Sequence, residues 1–169
     1  MPPPTPDSPD SQLVKAKSDA LRLLSFRPRS VEELRRRLKL KKYPEELVER
    51  VLEFLKKQRL LDDESFARLF AHSRVFSRPV GKRQLEFELK RKGLSKELVS
   101  KAMEGLSDYD ERAAARELVY RRFQKMKGVP REKKKARLFA FLKRRGFETN
   151  AIFDVISGLF HEETDEIDN

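Results

Sequence analysis

Seven apolar positions recur three times along this chain in one register. Leu34, Leu38, Tyr43, Leu47, Val48, Val51 and Leu55 form the first set. Leu85, Leu89, Leu94, Leu98, Val99, Ala102 and Leu106 lie 51 residues further on, and Leu138, Leu142, Phe147, Ala151, Ile152, Val155 and Leu159 another 53. Any helical hairpin reuses leucine at i, i+4, so one stripe alone says little. The glycines carry more. Gly93 precedes Leu94 as Gly146 precedes Phe147, and Gly105 matches Gly158. A glycine just before the second helix of a pair suits the left-handed turn that ends a helix. A chain built this way folds as three copies of a small helical module. Each is too small to bury a sufficient core alone, and stacking lets neighbours share buried surface.

Sustained period-2 alternation is absent and helical periodicity fills nearly every window, so the expected fold is all-α, with about nine helices. Several helix starts have a local cause. Ser30-Val-Glu-Glu33 has the form of a capping box. Pro44 fits a first helical turn, where its missing N–H costs nothing. Asp62-Asp63-Glu64 and Ser107-Asp-Tyr-Asp110 place carboxylates where the helix dipole favours them. Five of the nine prolines lie within residues 2–9, which reads as a disordered leader. The predicted organisation is a leader over 1–12, three-helix repeats over 13–57, 58–106 and 107–160, and a disordered acidic tail over 161–169. Together the repeats would form an elongated, curved array. Phe87 points away from its own module's stripe. It either packs on a neighbouring module or is an exposed contact for a partner.

Charge is placed as unevenly as proline. The formal net charge is +11. Residues 112–146 hold fourteen basic and two acidic side chains, whereas residues 147–169 hold seven acidic and no Lys or Arg. A basic block with so few internal carboxylates repels itself unless something acidic neutralises it. The bland reading is a solvated face. The sharper one is an anionic partner, either nucleic-acid phosphate or an acidic protein surface. The tail could compete for that surface in cis.

Several classes are excluded or disfavoured. No cysteine is present, so disulfide, thiolate and Cys-zinc chemistry are ruled out. No apolar run approaches a membrane span, and the N-terminus lacks a signal peptide's basic start and apolar core. A cytoplasmic protein is expected. His72 reads as an ordinary helix residue, and His161 with Glu162 and Glu163 makes too weak a set for a metal. Phosphate-cradling glycine loops are absent. No catalytic residue, cofactor or metal is therefore assigned, and the chain is not expected to be an enzyme. Three-helix modules resemble helix-turn-helix domains in outline. The would-be recognition helices, however, expose Glu45, Glu46 and Glu49 in one module and Glu97 in the next. With no tryptophan and scattered tyrosines, a stacking platform for single strands is not evident.

The run Leu60-Leu-Asp62-Asp63-Glu-Ser-Phe66-Ala67, then Ser73-Arg74, then Gly81-Lys-Arg-Gln-Leu85-Glu-Phe-Glu-Leu89-Lys-Arg-Lys-Gly93-Leu94, resembles the central signature of the RecX family of regulatory proteins. Arg131-Glu-Lys-Lys, Leu142-Lys-Arg-Arg-Gly146-Phe147 and Ile152 are similar to that family's third module. The likeness covers about residues 15–160. Arg59 stands where the family usually has glycine, and Pro79-Val80-Gly81 departs from the commoner aromatic-glycine pair. The resemblance implies a monomeric, non-enzymatic modulator of RecA recombinase. It would bind RecA and its nucleoprotein filament and typically inhibit filament growth, ATP hydrolysis and strand exchange, with weak direct DNA binding. The alternative is a basic DNA-binding module that works without RecA.

Candidate partner contacts are Arg74, Arg78, Lys82, Arg83, Lys90, Arg91 and Lys92, which flank the signature, and Arg121, Arg122, Lys134, Arg137, Arg144 and Arg145 from the basic block. Asp62, Asp63, Phe66, Ala67, Gly81, Leu85, Leu89, Gly93, Gly146 and Phe147 are expected to be architectural.

Overall fold

The computed structural model describes residues 9–167, with side chains as far as His161. Most of the expected leader, residues 1–8, and the last two residues of the tail lie outside the described residues. Among the described residues there are nine helices and no strand: α1 (Pro9–Phe26), α2 (Val31–Leu40), α3 (Glu45–Lys57), α4 (Asp63–Ser77), α5 (Lys82–Arg91), α6 (Lys96–Glu104), α7 (Glu111–Phe123), α8 (Arg131–Arg144) and α9 (Thr149–Ile167). The α1 helix begins at Pro9, inside the stretch read as leader. Proline is well suited to a first helical position because its φ is already set and its missing N–H has no partner to lose. The α9 helix runs to Ile167, into the stretch read as a disordered tail, through glutamates that are good helix formers.

The described chain falls into two compact units. The first joins residues up to Leu69 with Leu89–Ala102, the second Phe70–Glu88 with the residues from Met103 onward. In the first, α1, α2 and α3 pack on one another. Their core is Ala16, Ala20, Leu34, Leu38, Val48, Val51, Leu52 and Leu55, closed by Leu61. In the second, α7, α8 and α9 pack on one another, around Ala115, Val119, Leu138, Leu142, Phe147, Ile152 and Phe160. Of the 21 repeat positions, only Tyr43, Leu98 and Leu159 are half-buried; the others are buried. Each fully buried leucine contributes about 2 kcal/mol, which is why the register is held three times over.

The helix ends follow the local chemistry with two changes. Ser30 caps α2, its hydroxyl accepting from the Glu33 N–H at 3.1 Å. The reciprocal half of the box is not made, because Glu33 turns instead to Arg27, Arg29 and Lys92. Pro44 takes the capping position of α3 rather than its first turn. Asp110 caps α7, accepting from the Ala113 N–H at 3.0 Å. The turn after α5 is left-handed at Gly93 (φ 80°) and the turn after α8 at Gly146 (φ 74°), as the matched glycines imply. The same register place in the first module holds Lys42, with φ 64°. Arg59 also adopts a positive φ, 55°. The Leu60 N–H closes there on the Leu55 carbonyl at 2.9 Å. Arginine thus keeps the backbone shape a glycine would take. Phe87 is 54% exposed.

Candidate functional site

Of the residues expected to be architectural, Asp63 and Gly81 make hydrogen bonds across the joints between helices. In the first unit the Asp62 carboxylate stays on its own helix, accepting from the Glu64 N–H at 3.0 Å and the Ser65 hydroxyl at 2.6 Å. Asp63 reaches back to the Val31 N–H at 2.8 Å, tying α4 to the start of α2. Burial pushes the Asp63 carboxyl up, against that hydrogen bond and the charge of Lys56. Phe66, Ala67 and Leu89 are buried. In the second unit, Gly81 donates its N–H to the Arg145 carbonyl at 2.9 Å. A Cβ at Gly81 would fall inside the backbone of Gly146, so the residue can only be glycine. Tyr109 donates its hydroxyl to the Val80 carbonyl at 2.8 Å. Burial and the neighbouring Glu111 push its phenol up to about 12.

The basic residues divide into paired, aromatic-bound and open groups. Lys92 belongs to the first unit and is spent on Glu33 at 3.1 Å. Burial alone would raise the Glu33 carboxyl. Hydrogen bonds and charge from Arg27 and Lys92 outweigh it and hold the group at about 2. Lys90 and Arg91 are exposed, and the Arg91 carbonyl accepts from Arg36 at 3.2 Å. In the second unit Arg74 grips Glu88 with two N–H groups at 2.7 and 3.0 Å, and Arg121 pairs with Glu117.

Others lie on aromatic faces. Lys134 stands over the Phe123 ring at 4.3 Å, and Arg122 and Arg145 both cover the Phe141 ring, at 4.6 and 4.9 Å. Such contacts hold a cation in place without cancelling its charge. Arg78, Lys82, Arg83, Arg137 and Arg144 are exposed. The basic block is therefore partly organised on phenylalanines rather than simply solvated. The absence of tryptophan and the scattered tyrosines do not reveal this; the signal in the sequence is that Phe123, Phe139 and Phe141 stand among the lysines and arginines.

Arg74, Arg78, Arg122 and Arg145 converge. The Arg145 guanidinium donates to the Pro79 carbonyl at 2.9 Å, and Arg74 donates to the Arg78 carbonyl. Burial makes Arg145 easier to deprotonate than a free arginine, and the charges of Arg74, Arg122 and Arg78 add to that. Four of the thirteen predicted contacts thus form one cationic cluster. Lys92 is absorbed in a structural ion pair.

A second feature was not anticipated: a cleft of about 600 Å³ between α8 and α9, with Phe139, Phe153 and Phe160 on its apolar side and Arg131, Lys135 and His161 among its polar lining. Phe153 is 57% exposed there. His72 is exposed and stacks on Phe76 with ring centroids 6.2 Å apart. Among the described residues no helix is long and apolar enough to cross a membrane, and no group of three or more His, Cys, Asp or Glu side chains could hold a metal.

Known proteins match along most of the chain. Three family models match in order: the first three-helix domain of RecX over residues 16–55, the second over 62–103 and the third over 109–156. A regulatory protein RecX from Chlorobium limicola is 38% identical over 146 residues, covering 86% of this chain and 90% of its own length. One from Thermobifida fusca is 32% identical over 161 residues, covering 95% and 87%. One from Mycolicibacterium smegmatis is 36% identical over 153 residues, covering 88% and 81%. A crystal structure of regulatory protein RecX superposes with a TM-score of 0.75 at 23% identity, over 88% of this chain and 74% of its own. That of RecX from Lactobacillus salivarius gives 0.70 at 18%, over 87% and 96%. These two likenesses establish the all-helical fold.

Proposed function

This chain belongs to the RecX family of regulatory proteins, and from that premise we propose that it binds the RecA recombinase and its nucleoprotein filament and restrains recombination and ATP hydrolysis. The protein works in the cytoplasm as a monomer, by binding and without chemistry of its own. The observation that carries this reading is the match of all three domains in order along one chain. The convergent arginines and the aromatic-held lysines supply a surface for an acidic filament. Charge of this kind speeds encounter and selects partners more than it sets affinity.

The experiment is RecA-dependent ATP hydrolysis on single-stranded DNA with sub-stoichiometric protein added, together with co-sedimentation. A slowed rate and recovery of the protein with filaments are expected. An unchanged rate with no co-sedimentation overturns the reading.

The exposed Arg137 and Arg144 and the fourteen basic side chains of residues 112–146 favour one second reading, DNA binding without RecA. It requires sub-micromolar affinity with a steep salt dependence, reduced by about one unit of slope for each phosphate-contacting arginine removed.

A further inference from the structure

Two clusters occupy matching places in the repeat and differ at two charged positions: Glu33 is matched by Gln84 and Arg29 by Val80. In the first unit, Arg27 and Lys92 both bind the Glu33 carboxylate, Lys92 at 3.1 Å, and Arg29 adds a contact at 2.7 Å. Moving along the repeat by its own steps of 51 and 53 residues takes Arg27 to Arg78, Ser30 to Gly81, Glu33 to Gln84 and Lys92 to Arg145. The two joints use the same acceptor with different donors. Ser30 donates its side-chain hydroxyl to the Lys92 carbonyl at 2.5 Å, and Gly81 donates its backbone N–H to the Arg145 carbonyl at 2.9 Å. Asp63 accepts from the Val31 N–H, and Glu111 accepts from the Lys82 N–H.

Two of the three cations have therefore been kept, as Arg78 and Arg145, while Arg29 has given way to Val80 and the carboxylate between them has become an amide. Gln84 gives its NH2 to Glu88 at 3.1 Å, and Glu88 is already held by Arg74. Neither Arg78 nor Arg145 has an ion-pair partner among the described residues. Arg74 and Arg122 add to the positive field at Arg145. A like-charge cluster without its anion raises the energy of the free protein, and an incoming anion relieves it.

We propose that the cluster of Arg78, Gln84 and Arg145, with Arg74 and Arg122 beside it, is a docking pocket for a carboxylate on an acidic segment of a partner protein, which takes the place that Glu33 fills in the first unit. The proposal rests on the reading that this chain acts by binding a protein filament. A carboxylate is favoured over a phosphate because the same chain already closes the equivalent pair of cations on one. Arg145 is fixed for the task by the Pro79 carbonyl and the Phe141 face, which leave the rest of its five N–H donors to turn outward.

Gln84→Glu tests this by supplying the missing anion in cis. In the full-length protein the new carboxylate should pair with Arg78 and Arg145 and leave the thermal midpoint equal to or above that of the wild type. Binding of a fluorescein-labelled poly-glutamate peptide, read by anisotropy at low salt, should weaken about tenfold, or about 1.4 kcal/mol. Binding of an oligothymidylate of matching charge should weaken less than about threefold, and Lys15→Gln, which makes the same change in net charge, should move neither probe by more than that.

A lowered midpoint, equal weakening of both probes, preferential loss of the oligonucleotide or no weakening of the peptide each overturns the proposal. Loss of the oligonucleotide alone assigns the pocket to nucleic acid. Inhibition of RecA by the wild type separates the two claims. If the wild type has no effect on RecA, the filament reading falls and the peptide result still decides the pocket. If the wild type inhibits and Gln84→Glu inhibits equally, the pocket does not serve that partner and the proposal falls while the reading stands.

Discussion

Glu33 shows how much a single side chain does in this fold. Its carboxylate takes Arg27, Arg29 and Lys92, and so joins the linker after α1, the start of α2 and the end of α5. Burial works against it and the hydrogen bonds win, leaving the group at about 2 instead of the ordinary 4.5. A carboxyl depressed in the folded state stabilises fully above its unfolded value and loses that contribution as pH falls toward the folded one. Glu33→Gln should therefore cost about 2 kcal/mol near neutral pH, once solvent screening is allowed for, and less than half of that at about pH 3. Urea unfolding of the two proteins at both pH values checks this. An equal cost at the two pH values would mean that Glu33 acts through shape rather than charge.

At the scale of elements, the turns do more to define the molecule than the helices do. The turn after α3 and the turn before α5 respond to substitution in opposite senses. Arg59 bears a Cβ in left-handed backbone, a conformation that costs a non-glycine residue about 1–2 kcal/mol, partly offset by the freedom glycine gains on unfolding. Arg59→Gly should stabilise by about 0.5–1 kcal/mol. Gly81→Ala should cost about 3 kcal/mol, because the added methyl meets the Gly146 backbone and neither chain can yield. Urea midpoints at unchanged slope measure both.

Much of this layer was legible in the sequence because capping and left-handed turns are local: Ser30, Asp110, Gly93 and Gly146 sit where their chemistry puts them. What could not be read is the choice of a distant partner. Asp62 and Asp63 are adjacent and chemically alike, yet one caps its own helix and the other holds Val31, 32 residues back. Nothing local separates them. Similarly, Gln84 looks unexceptional until it is set in the place where the first module has Glu33. The thirteen candidate contacts rest on charge and on place, beside the signature or within the basic block, and neither distinguishes Lys92, locked to Glu33, from Arg145, left without a carboxylate.

For the whole molecule the decisive quantity is where the net charge of +11 lies, not its size. Within residues 112–146 the ion pairs Arg121–Glu117 and Lys135–Glu132 consume both acidic side chains of the segment, and Arg112 borrows Asp154 from α9 at 3.3 Å. Several of the remaining cations, Lys133, Arg137 and Arg144 among them, are exposed, so their field extends outward. Lys133, Arg137 and Arg144 are exposed on α8, so replacing all three by glutamine should change folding stability by no more than about 0.5 kcal/mol for each site. Association with an acidic filament should slow several-fold at about 50 mM salt, and the difference should shrink by about 500 mM, where the Debye length is shorter than the distance over which these charges steer. Stopped-flow association at the two salt concentrations reads this directly. Mutant and wild type should converge at high salt in association rate while dissociating alike at both. A change confined to dissociation and indifferent to salt would make these three side chains direct contacts. The long-range attraction would then have to come from the arginines gathered around Arg145.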